Sequence, residues 1–168
     1  TEIYTLSLHD ALPISVIRRF ADTGFPAAPR VSFSGEVIFR KGPFPEDGPF
    51  TARITAVDAA ADARVFPLAE HLSAGTGLRA GGSGVLLGAW LAEDIGARVG
   101  SPITVLTRTR SGYLQTLDLD VAGILDTPNP FVNRSGIFID LLLADALLEM
   151  NGEATEVCVS LPLPAERG

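Results

Sequence analysis

GVLLGAWLAEDIGARVGSPITVLT at residues 84–107, LDLDVAGILDT at 117–127 and GIFIDLLLADALL at 136–148 together decide how this chain folds. Val85, Leu86 and Leu87 form an apolar run too short for a helix, which predicts a buried strand. Gly88 breaks the run. Leu87, Leu91 and Ile95 then recur at helical spacing up to Gly96, a helix-stopping position. Gly100-Ser101-Pro102 predicts a turn that puts proline first in the next strand, where no ladder bond is lost. Ile103, Val105 and Thr107 alternate with Thr104, Leu106 and Arg108. After a tight turn at Ser111-Gly112, Leu117, Leu119 and Val121 alternate with Asp118 and Asp120, giving a hairpin with one core face and one wet face. Residues 136–139 predict a short buried strand. Asp140 is placed to cap a helix over 141–150 that ends at Asn151-Gly152. TEVCVSL at 155–161 closes the pattern with another alternating strand.

Outward from this segment the signals weaken. VIRRFAD at 16–22 reads as the end of an amphipathic helix. Val31, Phe33, Val37 and Phe39 keep one parity across Gly35, which predicts a long strand kinked at that glycine. RKGPFPEDGP at 40–49 is a surface loop by composition. Phe50, Ala52, Ile54 and Ala56 form a second alternating strand, hence a hairpin. Asp58 is placed to cap a helical turn over 59–64, and PLAEHL at 67–72 reads as a helix opened by proline. GTGLRAGGSG at 75–84 has the composition of a flexible joint. DTPNPFVNRS at 126–135 reads as a loop with an exposed Phe131.

Composition limits what the chain can do. It has 168 residues, 46% of them hydrophobic, enough for one ordinary core or two small lobes. The net charge of −7 argues against nucleic acid, whose phosphates need clustered Lys and Arg. Arg108 and Arg110 form the nearest approach to a basic patch, and their ordinary reading is a solvated hairpin tip. The one cysteine, Cys158, sits in an apolar strand as a small hydrophobe and allows no intramolecular disulfide. Mean hydropathy is +0.29, yet no apolar run reaches the length that spans a bilayer.

No constellation of catalytic or cofactor-binding residues emerges. Asp22-Thr23-Gly24 spells half of an aspartic-protease pair, but Asp126-Thr127 continues into Pro128 rather than glycine. Gly81-Gly82-Ser83-Gly84 is no P-loop, since Lys41 is the chain's single lysine. There is no G-x-S-x-G elbow. His71 is isolated, and Asp118 and Asp120 lie on the wet side of their strand, so no metal site is expected. Asn133-Arg134-Ser135 fits a glycosylation sequon. Two apolar side chains are candidate partner contacts with Arg108 and Arg110. Trp90, the chain's single tryptophan, lies one residue off the helical stripe, where it either flanks the core or meets a partner. Phe131 either tucks under its loop or docks onto a partner.

Val85, Gly88, Leu91, Ala92, Ile95, Gly96, Val99, Gly100, Val105, Val121, Gly123 and Ile124 fall on a pattern that resembles the extracytoplasmic domain of FtsX-like ABC-transporter permeases, the group that includes MacB and the lipoprotein-releasing LolC and LolE. The resemblance covers residues 16 to 162, and Ser101 stands where the family usually has Asp. It implies an α+β fold in two lobes: a mixed lobe from 15–83 plus 151–168 and a β-rich lobe from 84–150. It also implies a domain on the periplasmic side of the inner membrane that catalyses nothing. An ABC ATPase and a second permease subunit would be joined through membrane helices outside this chain, and motion would be coupled to a periplasmic partner or lipoprotein cargo. In the lipoprotein-releasing members a long, proline-bearing loop between the hairpin strands grips a chaperone, and the corresponding turn at 108–113 is short here. The alternative is a free-standing binding module unrelated to transport. Residues 1–14, TEIYTLSLHDALPI, resemble a translated sequencing adapter, so the genuine chain is expected to begin near Ser15, without its first membrane helix.

Overall fold

The computed structural model describes residues 2–22, 24–39 and 48–161. Most of the expected loop at 40–49, Thr23 of the Asp-Thr-Gly triplet and the end of the chain beyond 161 lie outside the described residues. In chain order the elements are β1 (Glu2–Pro13), α1 (Ile14–Ala21), β2 (Ala27–Phe39), β3 (Phe50–Val57), α2 (Ala59–Asp62), a 3-10 turn (Leu68–His71) and β4 (Leu72–Gly75). Then follow β5 (Gly84–Gly88), α3 (Ala89–Ile95), β6 (Pro102–Arg108), β7 (Leu114–Leu125), α4 (Pro130–Ser135), β8 (Ile137–Asp140), α5 (Leu141–Leu148) and β9 (Glu153–Leu161). The fold is mixed α/β and dominated by its sheet. Gly96 ends α3 at φ 71°, and Asp58 and Asp140 cap α2 and α5 through backbone N–H groups, as the sequence predicts. Helix α5 ends two residues earlier than its pattern, because Glu149 takes the left-handed cap conformation at φ 60°.

Among the described residues all nine strands join one sheet, and six of them close on themselves. β2 pairs with β3, β3 with β8, β8 with β5, β5 with β7, β7 with β6, and β6 returns to β2. The β3–β8 and β5–β7 pairs are parallel and the others antiparallel. β2 closes the ring by changing partner along one edge: residues 27–30 pair with β9 and residues 36–39 pair with β6. Side chains bridge the gap between these partners. The Ser32 N–H donates to Thr155 Oγ1 at 2.9 Å, and Thr107 Oγ1 donates to the Ser34 carbonyl at 2.8 Å. The β2–β3 register runs through Gly35 without a shift, so that glycine does not interrupt the strand. It is there because a Cβ would lie 2.8 Å from Val105 Cγ1 inside the ring.

The alternation read from sequence fills that ring. Val31, Val37, Ile54, Val85, Leu87, Ile103, Val105, Leu117, Leu119, Val121, Ile137 and Ile139 are all buried in one cluster. Ala92 of α3 and Ala97 after it join the cluster at one mouth, and Leu141, Ala144 and Leu148 of α5 join it at the other. β5 and β8 are buried on both faces, which explains their unbroken apolar runs. Their outer faces pack with Leu68, Leu125 and Phe66 in a second cluster. β9 and β1 extend the sheet beyond the ring, with Ile17 of α1 on one face and Ala61 and Val65 beside Cys158 on the other. The two expected lobes therefore share both a sheet and a core. β2 and β3, from the first, pair with β6 and β8, from the second, because the inward faces of both sets of strands fill the same ring. The glycine-rich stretch expected as a joint at 75–84 instead connects β4 to β5, both of which pair with β7.

Candidate partner-contact surfaces

At the mouth filled by α3, the sequence builds a rigid outward-facing patch. Asn129 caps α4, its side chain accepting from the Phe131 N–H at 3.0 Å, and Pro130 opens the helix. The segment expected as a loop is thus partly helical, and Asn129-Pro130 was the signal that predicts it. Asn133 is buried and ties α4 to the end of β7. It accepts from the Thr127 N–H at 2.8 Å and donates to the Thr127 carbonyl and to Asp126 Oδ1. A sequon asparagine held this way has no amide free for a glycan. Gly88 allows α4 to sit against β5: a Cβ there would lie 2.1 Å from the Val132 carbonyl oxygen.

These contacts leave Phe131 81% exposed and Trp90, on α3, 41% exposed. The Arg134 guanidinium stands 5.7 Å from the Trp90 ring centroid, a cation–π distance. Arg134 follows Phe131 by one helical turn on α4, so the three side chains form a continuous patch. Arg134 could not be found from sequence, since its role depends on α3 and α4 packing together.

Arg108 and Arg110 lie at the opposite end of the ring, at the tip of the β6–β7 hairpin. Arg108 Nη1 donates to the Gly112 carbonyl within the turn at 3.1 Å. Arg110 pairs with Glu153, and its backbone N–H donates to the Leu148 carbonyl at 2.9 Å, pinning the tip to the end of α5. Hydrogen bonding from Ser111 and Thr109 holds the exposed Glu149 carboxyl below its ordinary range. Both arginines are therefore engaged locally, and the exposed large apolar side chains of this tip are Tyr113 and Leu114. The structure thus divides the four candidates into two pairs at opposite mouths.

Elsewhere, His71 stacks on Phe66 with ring centroids 5.6 Å apart, and Thr104 donates to Asp118 on the solvent side of the hairpin. Cys158 is buried, and burial raises its thiol. Among the described residues no three His, Cys, Asp or Glu side chains gather at a metal-binding spacing, and no helix is long and apolar enough to cross a membrane.

No protein-family model matches the chain, and no curated protein matches its sequence. Solved structures do match its fold. The periplasmic region of MacB from Actinobacillus actinomycetemcomitans superposes with a TM-score of 0.66 at 12% identity, covering 98% of this chain and 76% of that one. The extracellular domain of the ABC-type transporter YknZ from Gram-positive bacteria superposes with a TM-score of 0.64 at 8% identity, covering 96% of this chain and 82% of that one. At these identities the likeness is one of fold, and it runs through nearly the whole chain.

Proposed function

We propose that this chain is the extracytoplasmic domain of an ABC-transporter permease subunit of the MacB type. The observation that carries the reading is the match in fold, over 98% of the chain, to the periplasmic region of MacB, supported by the similar match to YknZ. In this reading the domain catalyses nothing. An ATPase and a second permease subunit act on it through membrane helices, placing it outside the inner membrane, and it couples their motion to movement or release of a cargo such as a lipoprotein. Trp90, Arg134 and Phe131 supply a contact surface for an external partner, because aromatic and arginine side chains dominate such contacts energetically.

The test is to read the source locus across both ends of this frame. The expected result is an apolar segment of about 20 residues on each side of the domain, with an ATPase gene or domain alongside. In the permease so recovered, a photo-crosslinker placed at Phe131 captures a partner outside the membrane. A frame that starts and stops without such segments overturns the transporter reading in favour of a free-standing module.

A further inference from the structure

A cleft of about 880 Å3 opens beside the α5 mouth, between α1, the start of α2 and α5. It lies where the adjacent parallel strands β3 and β8 end and their following helices diverge. Its volume is that of a small-molecule site.

Most charges around it are satisfied in place. Arg18 is paired with Asp58 at 2.9 Å, and Asp58 also caps α2. Asp140 accepts from the N–H groups of Gly81, Leu142 and Leu143 at 2.6, 3.0 and 3.2 Å. Among the described residues lining the cleft, two charges form no ion pair. Arg19, on α1, has no ion pair among the described residues. Asp145, on α5, accepts the Gly152 N–H through one oxygen at 2.6 Å, and its other oxygen has no hydrogen bond among the described residues. Ala59, Ala60 and Leu142 give the cleft an accessible apolar lining, and Leu142 is 58% exposed, an unusual state for a leucine beside a concavity. An anionic amphiphile would satisfy Arg19 but meet Asp145 and the chain's net charge of −7. A cationic one would meet Arg19.

We propose that this cleft binds a zwitterionic amphiphile. The anionic part of its head pairs with Arg19, the cationic part with Asp145, and one alkyl chain lies along Ala59, Ala60 and Leu142. The proposal goes beyond the transporter reading and does not depend on it.

The test is an NMR titration of the chain with monomeric octylphosphocholine. Parallel titrations use octyl phosphate, octyltrimethylammonium, octyl glucoside and free phosphocholine. The expected result is saturable movement of the Ala60, Ala80, Leu142 and Gly152 amides by octylphosphocholine, with each other probe weaker by about tenfold or more. Arg19→Gln weakens octylphosphocholine by about tenfold and brings it level with octyltrimethylammonium, and Leu142→Glu abolishes binding. Both residues are exposed, and circular dichroism checks that each variant folds; if Leu142→Glu does not, Leu142→Ser replaces it. Equal binding of octyl glucoside overturns the proposal, because the site would then read only the alkyl chain. Equal binding of free phosphocholine overturns it, because the chain would then play no part. Absence of saturable movement, or movement confined to Trp90 and its neighbours, overturns it as well.

Discussion

Asp62 and Arg30 form the most enclosed ion pair among the described residues, with Arg30 Nε and Nη2 donating to the two carboxylate oxygens at 2.9 and 2.8 Å. Burial raises the Asp62 carboxyl from 3.8, and it outweighs the opposing pull of Arg30. Asp62 thus holds its proton more tightly folded than unfolded. Its contribution to stability is fullest below 3.8 and declines as pH rises from there through the raised value. Urea unfolding of the chain and of Asp62→Asn across this range should show wild-type stability falling relative to the variant, then levelling. A relative stability that climbs over the same interval would mean that the pairing, rather than burial, governs the carboxyl. Asp58 and Asp140 were legible as caps, because each precedes a helical run. Asp62 was not: an acid in an alanine-rich turn reads as solvated, and its burial is decided by Arg30, which arrives from β2.

Short elements defined by their partners escape the sequence, while those defined by their own periodicity do not. α3, β6 and β7 follow their patterns closely. β4 does not announce itself, since LSAG carries no alternation and is a strand only through its pairing with β7. α4 was hidden because its six residues bury little beyond Asn133. α5 shows how one side chain can organise two elements. Asp140 caps the helix and also holds the 76–83 connection through the Gly81 N–H. Asp140→Ala should cost about 2 kcal/mol, the upper end for a lost cap, since a further N–H loses its acceptor. Hydrogen exchange should quicken at Gly81, Leu142 and Leu143 together. Quickening at the helix alone would show that the connection is held by other contacts.

Over the whole molecule, closure was the property the sequence hid. The inward parity of β2, β3, β6 and β7 was readable, but parity does not say that β6 pairs with β2 as well as with β7. The turn announces the β6–β7 pairing, but the β6–β2 pairing joins segments far apart in sequence, and only shape complementarity inside the ring selects it. A shared core predicts shared unfolding. Trp90 fluorescence, which reports the α3 mouth, and far-ultraviolet circular dichroism, which reports the whole sheet, should give coincident urea transitions. Two separated midpoints would restore a division into independently folding lobes.

The ring also fixes how force would travel. An open sheet can shear or twist at little cost, but a closed one deforms only by breaking ladder bonds along complete strands. With α5 filling one mouth and α3 the other, a push delivered beside α5 reaches Trp90 and Phe131 as a tilt or shift of the entire barrel. Under the transporter reading proposed above, the domain would act as a strut, with any hinge that lets it swing outside the ring.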